Sequence, residues 1–277
     1  MKIVKKSKLK SWLLISVIFI VSACNVASED ESNSVNETSE NGLITTAEAA
    51  ENESDDTENE SDDAIEMSLQ TDYIYLPPPQ NDGDMSVERA LYTRRSRREF
   101  QDEALSLEQV SQILWAAYGI TSPVPDNPSL RGGFRTTPSA GALYPLEIYI
   151  VVGNIDGLEP GVYRYISAYH RIIQVVYEDI RNELYEAASN QVMVREAPMS
   201  VFYSAVFERT TERYGERGIM YAYFEIGHSA QNIYLQAQSL GLGTCAIGAF
   251  TNDIVRQLLN LPDDEEPLYL MPIGYYY

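Results

Sequence analysis

Two long segments of the chain, residues 106–118 and 224–240, carry apolar side chains at the three- and four-residue spacing of an amphipathic helix. Ser106 opens the first segment, and Gln109 follows three residues later, which is the spacing of a capping box. A glycine follows each segment, as is common where helices end. Shorter segments of the same kind predict two further helices, residues 86–92 and 179–189.

Other apolar runs have the length of strands rather than of helices. Those at 146–152 and 199–206 are almost continuously apolar, which is typical of strands buried on both faces. The predicted strands are residues 146–152, 162–166, 171–176, 199–206 and 268–273. Residues 121–137, rich in proline and glycine, are predicted to be a loop. Helices mix with antiparallel hairpins without strict βαβ alternation, so the predicted fold class is α+β.

The N-terminal residues have the composition of an export signal. Residues 1–10 carry five lysines, and the apolar run that follows is short for a membrane-spanning helix, so residues 1–23 are predicted to be a signal peptide. The run ends in Val21-Ser22-Ala23-Cys24, which resembles the bacterial lipobox. Acyl chains on Cys24 would anchor the mature chain to the outer face of the bacterial cell membrane or its periplasmic side. An ordinary signal peptide and a short uncleaved anchor are the alternatives.

An acidic segment, residues 24–72, follows the signal. Residues 25–72 contain 16 acidic side chains and no lysine or arginine. Such a segment cannot bury enough apolar surface to offset its ordering entropy, so it is predicted to be a disordered, extended tether. A specific acidic ligand tail is the alternative.

Residues 73–277 are predicted to form one folded domain. Its net charge is about -10, because the tether and the signal account for the rest of -21, and this balance argues against nucleic acid as a partner. Its single cysteine, Cys245, excludes a disulfide within one chain. Its two histidines, His170 and His228, argue against a His-rich metal site, so no metal is predicted. His228 is expected to pack within the long helix.

Four arginines fall within five residues at Arg94-Arg95-Ser96-Arg97-Arg98. Clustered guanidinium groups repel one another unless a multivalent anion or several carboxylates neutralise them. The fork of donors on arginine suits a phosphate better than the ammonium of lysine does. The cluster is therefore predicted to clamp the phosphate of a cofactor.

Two further segments consist mostly of small residues, PSAGALYP at 138–145 and GTCAIGAF at 243–250. Small side chains allow a flat ligand to approach the backbone closely. Each segment taken alone can equally be a simple loop beside a buried element.

Together, the segments RRSRREF, PSAGALYPLEIYIVV, GVYRYISAYHRI and EIGHSAQNIYLQAQSLGLGTCAIGAF resemble the nitroreductase superfamily of flavoproteins, and most nearly its SagB-type branch of thiazole/oxazole oxidase-like dehydrogenases. The resemblance covers residues 87–274. It implies a nitroreductase-like α+β fold with a mixed, mainly antiparallel sheet flanked by helices. It also implies an intertwined homodimer that binds FMN at the dimer interface.

The resemblance also assigns residues to the flavin. Three groups of cofactor-binding residues are implied: Arg94, Arg95, Ser96 and Arg98 for the phosphate and ribityl chain; Ser139, Ala140 and Gly141 for a loop that meets the flavin of the other subunit; and Ala246, Ile247 and Gly248 along the ring edge. Arg97 is instead expected to be a surface or salt-bridge residue. Backbone N–H groups at the ring edge would tune a cofactor that itself carries the redox chemistry.

The chain departs from the family pattern at two places. A Lys-Tyr pair implicated in azoline oxidation is matched here by Arg213-Tyr214, the candidate catalytic residues. Because arginine stays charged, Arg213 cannot act as a neutral base, although Tyr214 could donate a proton or orient a substrate. Both could also be ordinary loop residues. Second, many family members have a basic residue after the last glycine, whereas this chain ends in Gly274 and three tyrosines.

Two functions remain open from the sequence. The first is an FMN-dependent oxidoreductase that passes hydride between flavin N5 and a small or peptidic substrate. Within it, Arg213 weakens azoline oxidation, and the export signal weakens reduction of nitroaromatics or quinones by a nicotinamide donor. The alternative is a non-catalytic surface lipoprotein that uses the same fold to bind a ligand or partner.

Overall fold

The computed structural model describes residues 73–277 of the 277-residue chain. The predicted signal peptide of residues 1–23, the lipidation site at Cys24 and the acidic tether of residues 24–72 lie outside this part. No helix within residues 73–277 is long and apolar enough to cross a membrane.

Helices account for much of the described chain. In order they are α1 (Val87–Thr93), α2 (Leu107–Tyr118), α3 (Arg181–Ala187), α4 (Val192–Glu196), α5 (Glu208–Tyr214), α6 (Arg217–Ser239) and α7 (Asn252–Leu258). The predicted capping box opens α2: Ser106 Oγ accepts a hydrogen bond from the Gln109 N–H, and Gln109 Oε1 accepts one from the Ser106 N–H. These bonds satisfy donors that the first turn of a helix leaves without partners.

The strands form one large antiparallel sheet and a separate small hairpin. In chain order they are β1 (Tyr73–Tyr75), β2 (Ile120–Pro123), β3 (Gly133–Arg135), β4 (Leu146–Val152), β5 (Gly161–Ile166), β6 (Arg171–Val176), β7 (Met199–Ala205), β8 (Leu242–Thr244) and β9 (Glu266–Tyr275). The large sheet has the order β1-β6-β5-β4-β7-β9-β8, and each neighbouring pair is antiparallel. The α+β prediction is confirmed.

The domain has two hydrophobic cores, one on each face of the large sheet. Strand β4 contributes side chains to both, because successive side chains of a strand point to opposite faces of the sheet. Leu146, Ile148 and Ile150 join the core that contains residues of α2 and α6. Tyr149 and Val151 join a second core with residues of α3, α4 and α7. Burial on both faces explains why β4 has a continuously apolar sequence.

The prediction that residues 121–137 form a loop is wrong in one respect, because these residues include most of the β2–β3 hairpin. The polar and proline-rich sequence hides the strands, since β2 is largely exposed. Gly133 makes the pairing possible: its φ is +145°, and a side chain there would overlap the Ser122 carbonyl. A glycine that the pattern assigns to a loop therefore allows two strands to approach each other closely.

The second long helix begins earlier than predicted, at Arg217 instead of Phe224. Its first two turns carry apolar residues on the solvent side, which blurs the helical periodicity: Ile219, Met220, Tyr223 and Phe224 are exposed. The helix also turns His228 toward solvent, so the prediction of a packed histidine is wrong. The interpretation of Arg213-Tyr214 as loop residues is also wrong, because they form the last turn of α5.

Candidate functional site

The arginine cluster follows directly on α1 and runs alongside β8. Ser96 forms a parallel bridge with Thr244, and the Arg97 N–H donates to the Thr244 carbonyl at 2.9 Å. These bonds hold the cluster beside the small-residue segment 243–250. Two of the three sequence-predicted segments are thus brought together by backbone pairing within one chain.

The clustered arginines have no carboxylate partner among the described residues. Every ion pair found in residues 73–277 uses an arginine elsewhere, namely Arg131, Arg164, Arg181, Arg209 or Arg256. Arg95 donates to the carbonyls of Tyr92 and Arg94 instead. A concentration of unneutralised guanidinium groups in an acidic domain is the arrangement expected of an anion-binding site.

Arg97 differs from its neighbours in the cluster. Its guanidinium lies over the ring of Tyr276, 4.2 Å from the centroid. The C-terminal residues are held there by the Gln101 side chain, whose amide donates to the Tyr276 carbonyl at 2.8 Å. Tyr276, one of the three tyrosines that follow Gly274, therefore provides an aromatic surface for Arg97.

Tyr234 of α6 connects the cluster to the second small-residue segment. Its hydroxyl lies 3.1 Å from Ser96 Oγ and accepts a hydrogen bond of 3.0 Å from the Ala246 N–H. Its ring lies under the Arg94 guanidinium at 5.1 Å. One side chain thus fixes the positions of three residues predicted to bind the cofactor.

The predicted ring-edge residues have different hydrogen-bonding capacity. The Ala246 N–H is engaged by Tyr234, and the Ile247 N–H donates to the Leu270 carbonyl at 2.8 Å. Gly248 is exposed, and space on its side-chain face is open except for the ring of Tyr269 at 3.9 Å. Within residues 73–277 its N–H has no acceptor, so Gly248 offers the backbone donor that a ligand could use.

The third segment lies beside the candidate catalytic pair. Ser139 precedes a 3-10 turn over Ala140–Ala142, in which Gly141 has φ +64°. A Cβ atom at Gly141 would lie 2.6 Å from Tyr214 Oη and 3.0 Å from an Arg213 guanidinium nitrogen. The positive φ favours glycine there, and a larger residue would have to displace the ends of these two side chains.

The structure therefore groups the predicted residues into two sets. The first set is the arginine cluster with residues 246–248, at Tyr234 near the end of α6. The second is residues 139–141 with Arg213 and Tyr214, where Ser139 lies close to Glu225 of α6. Nine residues separate Glu225 from Tyr234, which corresponds to roughly 13 Å along the helix axis.

Glu225 and Tyr118 form a buried pair that the sequence prediction missed. Tyr118 donates a hydrogen bond to one Glu225 oxygen, and the other oxygen is buried without a partner among the described residues. Burial raises the pKa of Glu225 to about 7, although the nearby hydroxyl groups of Ser139 and Tyr118 oppose the shift. The available signal was an acidic residue on the buried face of an apolar helix.

The Cys245 thiol and the possible metal-ligating side chains in residues 73–277 do not form a reactive site. Cys245 is fully buried, and burial raises the pKa of its thiol, which disfavours the reactive thiolate. No group of histidine, cysteine and carboxylate side chains in this part of the chain could hold a metal ion. The site is thus built from arginines, tyrosines and small-residue backbone.

Comparison with known proteins identifies sequence relatives. The model of the nitroreductase family matches residues 91–275. A candidate nitroreductase of Methanocaldococcus jannaschii is 45% identical over 191 residues, which cover 69% of this chain and 91% of that protein. The microcin B17-processing protein McbC of Escherichia coli is 28% identical over 163 residues, 57% of each chain. An FMN reductase (NADPH) of Bacillus subtilis is 29% identical over 125 residues, covering 40% of this chain and 50% of that one.

A solved structure has the same fold. A candidate nitroreductase from Ralstonia eutropha superposes with a TM-score of 0.61 at 28% identity, covering 74% of this chain and 90% of that one. Sequence and structure comparisons thus agree over nearly all of residues 73–277.

The buried carboxyl of Glu225 predicts a pH-dependent stability. Because its pKa is raised, the folded protein retains a proton that the unfolded chain loses, so the free energy of unfolding falls as pH rises from about 4.5 to about 7. Because glutamine does not titrate, the Glu225→Gln variant should not show this fall in the free energy of unfolding. The variant should gain about 3 kcal/mol over the natural chain between about pH 5 and about pH 8 in urea unfolding.

The matched control is Glu212→Gln, which changes an exposed carboxylate on α5. It should follow the pH profile of the natural chain. Parallel profiles for the Glu225→Gln variant and the natural chain would show that Glu225 is not the titrating group.

Proposed function

Because the chain belongs to the nitroreductase family, we propose that this FMN-dependent oxidoreductase exchanges hydride with a small or peptidic substrate while anchored to a membrane. The observation that carries the proposal is the set of arginines without carboxylate partners, joined through Tyr234 to residues 246–248. Relatives named for nitroreductase and FMN reductase activity make FMN the implied cofactor.

The arginine cluster fits the phosphate of FMN. Arg94, Arg95 and Arg98 supply donors with no carboxylate to compete among residues 73–277, and Ser96 adds a hydroxyl. A phosphate dianion needs two or more such charges, and each charge-assisted hydrogen bond contributes about 1.5–3 kcal/mol. Arg97 is occupied by Tyr276 and is left out of the clamp.

The small-residue backbone fits a flat ring. FMN, when bound, supplies hydride transfer at N5 of its isoalloxazine ring. The Gly248 N–H has no acceptor within residues 73–277, the space on its side-chain face is open, and Ala246 is fixed by Tyr234. These residues would hold and orient the ring edge, while Ser139, Ala140 and Gly141 would close the site from another chain.

A homodimer would join the two sets of residues that one chain keeps apart. The first turns of α6 expose Ile219, Met220, Tyr223 and Phe224 on one face. An apolar stripe of this size on a long helix favours burial against a second copy. In such a dimer, the loop at residues 139–141 of one chain would lie over the flavin bound by the other.

Tyr214 is the proposed proton donor of the reaction. Its hydroxyl lies beside Gly141, and its ring packs edge-on against Tyr221 at 5.1 Å, so it is held in place. Arg213 is exposed and stays charged, so its proposed role is to orient a substrate by charge. Similarity to McbC, which is named for processing microcin B17, supports a peptidic substrate and the SagB-type branch.

Anchoring to the membrane is proposed from residues 1–24 alone. The lysine-rich start, the short apolar run and Cys24 are together typical of an exported lipoprotein. The acidic residues 25–72 would then carry the enzyme away from the membrane surface, because like charges extend a chain.

The double variant Arg94→Ala, Arg98→Ala should lose FMN. Removing two charged donors from the phosphate should weaken binding at least roughly a hundredfold, so the protein should be purified without flavin absorbance. Arg89→Ala, which changes an exposed arginine of α1, is the control and should keep its flavin. Unchanged flavin content in the double variant would contradict the clamp. A natural chain that binds no FMN would favour the non-catalytic lipoprotein.

The two cysteines of the chain allow a direct test of lipidation. Expressed in Escherichia coli with radiolabelled palmitate, the natural chain and Cys245→Ser should incorporate label and sediment with membranes. Cys24→Ser should incorporate no label, since it lacks the thiol that carries the acyl chains. Label in Cys24→Ser, or none in the natural chain, would exclude a lipid anchor at Cys24.

A further inference from the structure

A second group of arginines surrounds a small cavity away from the cluster at residues 94–98. The cavity has a volume of about 110 Å³ and lies between the β2–β3 hairpin and the adjoining ends of β4 and β5. The residues with polar side chains that line it are Tyr118, Arg131, Arg135, Glu147, Arg164, Tyr165 and Ser167. None of these residues is used by the proposed FMN site.

Positive charge exceeds negative charge around this cavity. Glu147 is shared by three arginines, with nitrogen–oxygen distances of 3.3 Å to Arg131, 3.0 Å to Arg164 and 2.6 Å to Arg209. Glu265, the next carboxyl, lies 3.6 Å from Arg164. Burial raises the pKa of Glu265, which weakens it as a counterion.

Arg135 adds a fourth guanidinium that has no carboxylate of its own among the described residues. It lies over the rings of Tyr118 and Tyr144, at 4.2 Å and 4.4 Å from their centroids. Its one hydrogen bond within residues 73–277 runs to the Arg131 carbonyl at 3.4 Å. Burial lowers the pKa of Arg131, and the nearby charge of Arg209 lowers it further, as expected where cations are in excess.

The arginines of the cavity also hold unused donors. The Nε atoms of Arg135 and Arg164 are both buried and have no hydrogen-bond partner in the described part of the chain. A buried donor without an acceptor is costly, and the cost is greater for a charged group. These Nε atoms are out of contact with solvent, so an oxyanion in the cavity would not bond to them, but it would supply the negative charge that their guanidinium groups lack.

We propose that this cavity binds a small oxyanion: a carboxylate, sulfate or phosphate group. A volume of about 110 Å³ equals that of roughly three or four water molecules, which is enough for such a group. The anion is either free or the acidic end of an organic molecule. Tyr118 lines the cavity and donates to Glu225, so a bound anion would lie one side chain from the buried carboxyl.

The proposal is tested by the melting temperature of the protein in excess FMN, which keeps the cluster at residues 94–98 occupied. The probes are sodium sulfate, acetylglycine and its neutral amide, each compared with sodium chloride at equal ionic strength. A ligand at ten times its Kd should raise Tm by roughly 3–5 °C. Sulfate also stabilises proteins non-specifically, so the variants below decide the result.

Arg131→Gln removes an exposed guanidinium group that lines the cavity, and Arg135→Gln removes the guanidinium group over the rings of Tyr118 and Tyr144. Both should lose the anion-specific rise in Tm, whereas Arg256→Gln, which breaks an ion pair elsewhere, should keep it. A response to sulfate alone identifies a free inorganic anion. A response to acetylglycine and not to its amide identifies a carboxylate on an organic molecule. No rise in the natural chain, or equal rises in all variants, would overturn the proposal.

Discussion

The hydroxyl group of Tyr234 is the contact on which the candidate site depends. Tyr234 lies on the long helix α6, and its hydroxyl hydrogen bonds to Ser96 and Ala246. The Arg94 guanidinium lies over the Tyr234 ring. Without it, the arginine cluster and the small-residue segment would be joined only by the backbone pairing at Thr244. Besides contributing side chains to the core, α6 therefore sets the distance between the arginine cluster at residues 94–98 and the small-residue backbone at residues 246–248.

Arginine is the cation throughout the described domain, since residues 73–277 contain no lysine. No carboxylate of residues 73–277 forms an ion pair with the clustered arginines, and the buried carboxylates have other partners. Glu147 and Glu265 neutralise part of the charge around the small cavity, while Glu225, whose pKa burial raises to about 7, carries less negative charge at neutral pH than an ordinary carboxylate. The domain is acidic overall and yet locally cationic at the two places where anions would bind.

The sequence pattern predicted the parts of the fold in which one face or both faces of an element are buried. Strand β4 and helix α2 are such elements, and the capping box at Ser106 was visible from two residues. The hairpin β2–β3 was missed because β2 is largely exposed, and the start of α6 was missed because apolar residues lie on both of its faces. The role of Tyr234 could not be predicted either, because a tyrosine at helical spacing is expected to be a core residue. Only the fold brings its hydroxyl to Ser96 and Ala246.

The central claim is that one FMN site is completed by two chains, and a mixed dimer tests it most directly. One chain carries Arg94→Ala with Arg98→Ala; the other carries Gly141→Val, which places a side chain against Tyr214. Each variant alone should form a dimer without flavin. The mixed dimer, purified by two different tags, should regain one intact site and bind one FMN per two chains. A mixed dimer without flavin would contradict the account, since it would mean that both sets of residues must come from the same chain.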